Sequence, residues 1–422
     1  MRLRIKDICD YVSRGTTPDY VDEGANKVMN QATFSKGWID ESNIRYTSKA
    51  NKGARIMKGD LLMASTGGGV LGKVFFFDDD DSFYADSHVT IMRNSKGANL
   101  MKYLYYYFYL RYDEINATMV KGSTNQTELQ RNYLLSYELD VPTLADQQRM
   151  VTYLDTKLSD IDHQVSLLTS KRDAYLRLKK SIINHAVTRG LDPNVKMKDS
   201  GIEWIGEVPE HWRRMRLKDI AYLYSGLTGK SGDDFRCDNT NITKPYVPFT
   251  SILNNFKINS TDFPRVIMSD NETQNQVIVN DLLFLMSSED YDSIAKSAVV
   301  NENLGEVYLN SFCRGLRFTS KDIFANFVNY QIQATNYRDA LRFEARGFTR
   351  INIKIEKISS MFVCLPPLPE QRAIATYLDD KCAKIDTIVS NLDKQISRYG
   401  DLKRSLIDEV ITGKRAVLRT LN

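Results

Sequence analysis

One stretch of this chain recurs 224 residues further on, and that repeat limits the fold more than any other feature. Val141-Pro142-Thr143-Leu144-Ala145-Asp146-Gln147 returns as Leu365-Pro366-Pro367-Leu368-Pro369-Glu370-Gln371. The register then holds without a gap for some forty residues. Thr152-Tyr153-Leu154-Asp155 matches Thr376-Tyr377-Leu378-Asp379, Ile161-Asp162 matches Ile385-Asp386, and Val165-Ser166 matches Val389-Ser390. Tyr175, Leu178, Lys179 and Ser181 match Tyr399, Leu402, Lys403 and Ser405. Weaker matches precede each copy: Arg4-Ile5-Lys6-Asp7-Ile8 with Arg216-Leu217-Lys218-Asp219-Ile220, Gly59-Asp60-Leu61-Leu62 with Asn280-Asp281-Leu282-Leu283, and Lys121-Gly122-Ser123-Thr124 with Arg346-Gly347-Phe348-Thr349. Such self-similarity implies one supersecondary plan used twice, in the order globule, helix, globule, helix.

The matched parts are helical. Leu154, Leu158, Ile161, Val165, Leu168, Arg172, Tyr175, Lys179, Ile182 and Ala186 alternate spacings of four and three. Leu378, Cys382, Ile385, Val389, Leu392, Ile396, Tyr399, Lys403, Leu406 and Val410 do the same. An a/d seam sustained this long predicts a coiled coil; the alternative is two amphipathic helices packed on their own globules. The polar seam residues Arg172, Lys179 and Lys403 can snorkel or help fix register. Pro142 and Pro366-Pro367 stop any earlier helix, Pro369 suits a first turn, and Gly190 and Gly413 end the two helices. Helix 1 opens acidic (Asp146, Asp155, Asp160, Asp162) and closes basic (Lys171, Arg172, Arg177, Lys179, Lys180, Arg189), whereas helix 2 opens with Glu370, Asp379 and Asp380. An antiparallel pair therefore matches opposite charges and suits both macrodipoles. About 45 residues at 1.5 Å each give a rod of roughly 65–70 Å.

The expected fold class is α+β: two mixed α/β domains separated by a long antiparallel two-helix coiled coil, with pseudo-twofold symmetry. The expected divisions are 1–140 (globule 1), 141–190 (helix 1), 191–212 (linker), 213–364 (globule 2), 365–413 (helix 2) and 414–422 (tail). Gly59–Ser65 and Gly72–Phe77 read as strands around a glycine-rich turn, with 280–286 as counterpart. Residues 100–120 and 323–342 read as helices. The Tyr103–Tyr109 run could stack bases, but core packing is the preferred reading.

Composition excludes several classes. At 422 residues, with 42% apolar and 26% charged residues, the chain is neither disordered nor collagenous. No apolar run is long enough for a spanning helix, and Met1–Asp7 lacks the apolar region of a signal peptide. No membrane partner and a cytoplasmic location are expected. Cys9, Cys237, Cys313, Cys364 and Cys382 are scattered and odd in number, and His88, His163, His185 and His211 are equally dispersed. Free thiols and no metal site follow. Gly67-Gly68-Gly69-Val70-Leu71-Gly72-Lys73 fits G-x-x-x-x-G-K, yet Val74 and a strand-like Phe75-Phe76-Phe77 replace the Ser/Thr and helix that a phosphate loop requires. Asp78-Asp79-Asp80-Asp81 lacks calcium-loop spacing and reads as an exposed turn. Neither a G-x-S-x-G elbow nor an N-P-P-[FY] methyltransferase motif occurs, so no catalytic residues are expected. Net charge is only +4, from 57 basic and 53 acidic residues, which neither identifies nor excludes a nucleic-acid binder.

Two diverged globules at opposite ends of a rod suit an extended ligand with two separated, unlike sites, and double-stranded DNA is the leading candidate. A protein-only coiled-coil scaffold holding two partner subunits is the alternative.

The sequence resembles the specificity subunit of type I restriction-modification systems. The resemblance is carried by Leu365-Pro366-Pro367-Leu368-Pro369-Glu370-Gln371-Arg372 running into the Ile385-Asp386 helix, by Lys198-Asp199-Ser200-Gly201-Ile202-Glu203-Trp204-Ile205-Gly206-Glu207-Val208-Pro209-Glu210-His211-Trp212, and by Gly122-Ser123-Thr124. Globule 1 has no copy of the Ile202–Trp212 element, and copy 1 departs from the motif at Thr143-Leu144-Ala145-Asp146. The resemblance implies two target recognition domains, each reading half of an asymmetric split site, with the coiled coil as ruler. It implies two modification (adenine methyltransferase) subunits and restriction (nuclease/translocase) subunits as partners. S-adenosylmethionine, ATP and Mg²⁺ would be bound by those partners, and this chain would be non-catalytic.

Polar, glycine-rich loops with Arg, Lys, Ser, Thr and Asn can bond phosphates and base edges. The DNA-contact candidates in globule 1 are Arg14, Thr16, Thr17, Lys36, Ser65, Thr66, Lys121, Ser123, Thr124 and Asn125. In globule 2 they are Lys230, Lys244, Ser287, Ser288, Arg346, Thr349 and Arg350.

Overall fold

A computed structural model describes residues 1–49, 52–95, 97–121, 127–236, 242–259 and 262–417. The chain forms two units: residues 1–169 with 394–422, and residues 170–393. Each long helix, Leu144–Arg189 and Leu368–Ile411, is shared between the two units.

The caps follow the sequence. Asp146 N–H donates to Thr143 Oγ1 at 3.2 Å, an N-cap hydroxyl. The second helix has Pro367 at that position, and its first turn is held differently. The Trp212 indole donates to Glu370 Oε1 at 3.0 Å and the His211 ring bonds Glu370 Oε2 at 2.7 Å. Gly190 and Gly413 end the helices at φ +74° and +75°, the left-handed closure that glycine adopts without a Cβ clash.

In the first unit an antiparallel sheet runs in the order Tyr11–Arg14, Val89–Arg93, Leu61–Ala64, Val74–Phe76. In the second unit the corresponding order is Ala221–Ser225, Cys313–Phe318, Leu282–Leu285, Ser297–Val300, extended by Lys257–Ile258 in parallel. Each unit adds a small mixed sheet. The same buried pair recurs in both main sheets. Arg93 grips Asp60 at 2.6 and 2.7 Å, and Arg317 grips Asp281 at 2.9 and 2.7 Å.

The two expected domain helices are each broken in two: Ala98–Leu110 with Tyr112–Thr118, and Ala325–Gln333 with Thr335–Glu344. The second break is at Ala334, whose extended backbone (ψ 150°) cannot continue a helix. Tyr103, Tyr106, Tyr107 and Phe108 are buried in the core of unit one, so the tyrosine run packs rather than stacks bases.

The heptad pattern is visible in burial. Leu154, Leu158, Ile161, Leu378, Ile385, Leu392 and Leu406 are buried, and Val165, Leu168, Tyr175, Ile182, Val389, Ile396 and Tyr399 are half-buried. Within unit one, Leu154, Leu158 and Ile161 share a core with Leu406, Ile407 and Val410. Within unit two, Ala186 and Val187 share a core with Ile374, Ala375 and Leu378. In each unit the start of one helix lies along the end of the other, which is antiparallel pairing. The polar seam residues are ion-paired: Lys403 with Asp162 at 2.7 Å in unit one, and Lys179 with Asp386 at 2.6 Å in unit two. Both members of the second pair are the repeat counterparts of the first.

A second repeated contact seats each globule on its helix. The Tyr106 hydroxyl donates to Asp155 at 2.6 Å, joined by Lys102 at 2.8 Å. The Tyr330 hydroxyl donates to Asp379 at 2.7 Å, joined by Lys257 at 2.8 Å. Burial first, then these carboxylates, push both phenols well above the ordinary tyrosine range.

The 191–212 stretch, read as a linker, is folded. Met197–Asp199 pairs with Glu207–Pro209, and Trp212 is fully buried against Phe327. Its apolar residues Ile205, Val208 and Trp212 belong to the core of unit two. The glycine run has φ +91° at Gly67, +80° at Gly69 and +83° at Gly72, and then enters strand Val74–Phe76 rather than a helix. Lys73 donates to the Ser35 carbonyl at 3.2 Å. Cys9, Cys313, Cys364 and Cys382 carry free buried thiols, and burial pushes those of Cys9 and Cys313 up to about 12; Cys237 lies outside the described residues. Among the described residues no cluster of metal-ligating side chains occurs, and no helix is long and apolar enough to cross a membrane.

Candidate nucleic-acid interface

In each unit the candidate surface grows from one strand end. Leu61–Ala64 leads into Ser65-Thr66, and Thr66 bridges to Glu128. Its counterpart Leu282–Leu285 leads into Ser287–Ser288, which pairs with Ile351–Asn352. In unit two this edge adjoins the glycine-containing loop at Arg346–Arg350.

In unit one, Thr66 Oγ1 bonds His88 Nδ1 at 2.7 Å and donates to Gln31 at 3.2 Å. The Thr17 hydroxyl donates to Ser87 at 3.1 Å. The Arg14 guanidinium donates to the Ser87 carbonyl at 2.9 Å and is paired with Glu128. Its charge is therefore met by Glu128 within the unit. His88 N–H donates to Asp86 at 2.8 Å, and burial pushes the Asp86 carboxyl above its ordinary range. Thr16 and Lys121 are exposed. Ser65 is a correction: at 0% exposure, with its hydroxyl 2.6 Å from that of Thr90, it belongs to the core. Lys36 is exposed but pairs with Asp40 at 2.7 Å. Ser123, Thr124 and Asn125 lie outside the described residues.

Unit two brings five of its seven candidates, Ser287, Ser288, Arg346, Thr349 and Arg350, into one place. Arg346 and Asn352 exchange backbone hydrogen bonds at 3.0 and 2.8 Å, closing a loop that carries Thr349 and Arg350 and lies against Ser287. A Cβ on Gly347 (φ +146°) would meet the Arg350 carbonyl oxygen at 2.0 Å, so only glycine fits. The Tyr291 hydroxyl donates to the Gly347 carbonyl at 3.4 Å. Arg346 lies over Phe343 and Arg350 over Phe312, at 5.8 and 5.1 Å. Both arginines are exposed, and among the described residues neither forms an ion pair. Ser288 is half-buried and accepts from Asp290 N–H at 3.3 Å.

Lys230 and Lys244 are both ion-paired within the unit. Lys230 is only 9% exposed in its side chain and pairs with Glu272 at 2.6 Å. Lys244 is held between Glu306 at 3.0 Å and Asp270 at 3.2 Å. These lysines draw the Glu272 and Glu306 carboxyls below their ordinary range. Lys244 lies on the strand Thr243–Val247 of the three-stranded sheet with Arg265–Ile267 and Tyr308–Leu309. The sequence reading missed Gln31, Ser87, His88, Tyr291 and the ring Phe348; only the glycine beside Phe348 signalled that last one.

The profile of the type I restriction modification DNA specificity domain matches residues 1–167 and 209–398. The type I restriction enzyme MjaVIII specificity subunit of Methanocaldococcus jannaschii is 20% identical over 335 residues, spanning 77% of this chain and 73% of that one. The putative MjaX specificity subunit of the same organism is 21% identical over 418 residues, spanning 97% and 92%. A chain from a structural study of complex assembly and conformational transition of the type I R-M system superposes with a TM-score of 0.70 at 14% identity, covering 99% of this chain and 98% of that one. The match of the family profile to both repeats assigns this chain to the DNA specificity subunits of type I restriction-modification systems.

Proposed function

We propose that each unit reads one half of a split, asymmetric DNA site, that the paired helices set the spacer, and that two modification subunits dock on them. The observation that carries this reading is the loop 346–350, where Arg346 and Arg350 are exposed and, among the described residues, form no ion pair, while Arg14, Lys230 and Lys244 are ion-paired. Exposed guanidinium groups can fork onto phosphates or onto guanine. Diverged loops on a repeated scaffold support two unlike half-sites. The chain itself is non-catalytic in this reading and works in the cytoplasm; S-adenosylmethionine, ATP and Mg²⁺ belong to the modification and restriction subunits.

The decisive test is the double variant R346A R350A, in a complex with the modification subunits, on the site that methylome sequencing defines. Methylation of that site is expected to fall at least ten-fold, with a shallower dependence of affinity on salt. Unchanged methylation and affinity would remove the loop from the interface. A complex with no salt-dependent DNA affinity would instead favour a protein-only scaffold.

Docking of two like partners is supported by a repeated exposed pair. Leu178 and Leu402, counterparts at the 224 offset, are 47% and 49% exposed on the outer faces of their helices. Leu178→Asp and Leu402→Asp should each weaken retention of one modification subunit, and the double variant should lose both, as read by light-scattering mass. Full retention in the double variant would place docking elsewhere.

A further inference from the structure

The loop that carries Arg346 and Arg350 presents a third side chain between them, and its chemistry differs from theirs. Phe348 is 105% exposed, and among the described residues no ring or guanidinium packs on it. A lone exposed apolar residue is ordinary on a protein surface. What distinguishes Phe348 is its support. Gly347 adopts a conformation closed to other residues, the Arg346–Asn352 backbone pair closes the base of the loop, and Tyr291 holds the Gly347 carbonyl. The flanking guanidiniums rest over other rings, Phe343 and Phe312, and leave the Phe348 ring bare. The result is an apolar tip on a braced loop with a cation on either side.

From this geometry we propose that Phe348 is a wedge, inserting between adjacent base pairs of the half-site read by unit two while Arg346 and Arg350 take the neighbouring phosphates. Apolar side chains used in this way unstack a base step and kink the duplex, and the bent DNA gains contacts with the protein. The half-site is then read partly through the cost of deforming it, so an easily unstacked pyrimidine–purine step is favoured at the insertion point. At the matching place in the first repeat the sequence has Ser123, which offers no ring to insert. The wedge therefore acts on one half of the site only. This inference rests on the DNA-reading role proposed above and adds to it a residue and a mechanism.

The test uses the full chain co-purified with its modification subunits, and duplexes bearing the methylated site with 2-aminopurine at successive positions. The wild-type complex should raise 2-aminopurine fluorescence at one step, in one half-site. Phe348→Ala should abolish that rise and lower methylation kcat/KM about ten-fold or more, in keeping with the loss of one base–aromatic stack. Phe348→Trp should preserve both. Because the side chain is fully exposed, neither substitution should alter the unfolding midpoint. A rise that survives in Phe348→Ala, or methylation within two-fold of wild type, overturns the wedge. So does a wild-type complex that binds the duplex without any rise, or a Phe348→Ala chain that simply loses its modification subunits. Those outcomes leave DNA recognition by the arginines standing, whereas a wild-type complex with no affinity for the duplex overturns both.

Discussion

Asp281→Ala is expected to destabilise the second unit by about 3–5 kcal/mol, the usual cost of removing one partner from a buried ion pair. Asp281 is fully buried and satisfies four donors. Arg317 binds both carboxylate oxygens, the Ile278 N–H donates at 2.9 Å and the Tyr224 hydroxyl at 2.6 Å. Removing the carboxylate leaves the Arg317 guanidinium with the Gln276 carbonyl at 2.7 Å but no carboxylate, and it strips the buried Tyr224 hydroxyl and the part-buried Ile278 N–H of their acceptor, so the loss exceeds that of a single hydrogen bond. The counterpart Asp60 has Arg93 and the Met57 N–H at 2.7 Å, and Asp60→Ala should act in the same way on the first unit. Denaturant unfolding of the full chain, followed by the fluorescence of Trp212 and Trp204 for the second unit, reads the effect. A loss below about 1 kcal/mol would mean that the pair contributes no more than a surface bridge.

Deleting one heptad from each long helix, around Leu168 and Leu392, should abolish methylation of the native site and create activity on a site with a shorter spacer. Seven residues at 1.5 Å remove about 10 Å, close to three base pairs at 3.4 Å each. The heptad phase is kept, so the seam closes again around the remaining residues. Deleting the heptad from one helix only supplies the control. Lys179–Asp386 and Lys403–Asp162 could not both form after a one-sided shift, and loss of stability rather than a new spacer is expected. Methylome sequencing of cells carrying each variant gives the outcome directly. An unaltered spacer in the double deletion would disqualify the helices as the ruler.

Features written in local or periodic code could be read before the structure. The seam residues are buried or half-buried because a four-three spacing can bury only one stripe, and Gly190 and Gly413 end the helices because closure needs a left-handed residue. Antiparallel pairing was legible from charge, since the basic end of helix 1 suits the acidic start of helix 2 (Glu370, Asp379, Asp380); the structure adds the pairs Lys403–Asp162 and Lys179–Asp386. The interface was less legible because its determinants are distant in sequence. Nothing near Lys230 announces Glu272, and nothing near Arg14 announces Glu128 across more than a hundred residues. Ser65 looked like a loop serine; only the sheet reveals that its partner is Thr90. Phe348 was passed over because a phenylalanine reads as core until a structure shows it in water. The 191–212 stretch read as a linker because nothing in its sequence names a partner; the packing of Ile205, Val208 and Trp212 into the core of unit two is what makes it part of the fold.

The tyrosine–aspartate contacts that seat each globule have an evolutionary consequence. Tyr106 on Asp155 and Tyr330 on Asp379 make the same joint from residues 224 apart, although the sheets and loops around them have drifted far from each other. A foreign globule that carries the joint's tyrosine on its docking helix would meet an unaltered socket. New specificity could then arise by exchange of a whole cassette between genes, without passing through intermediates whose scaffold no longer fits.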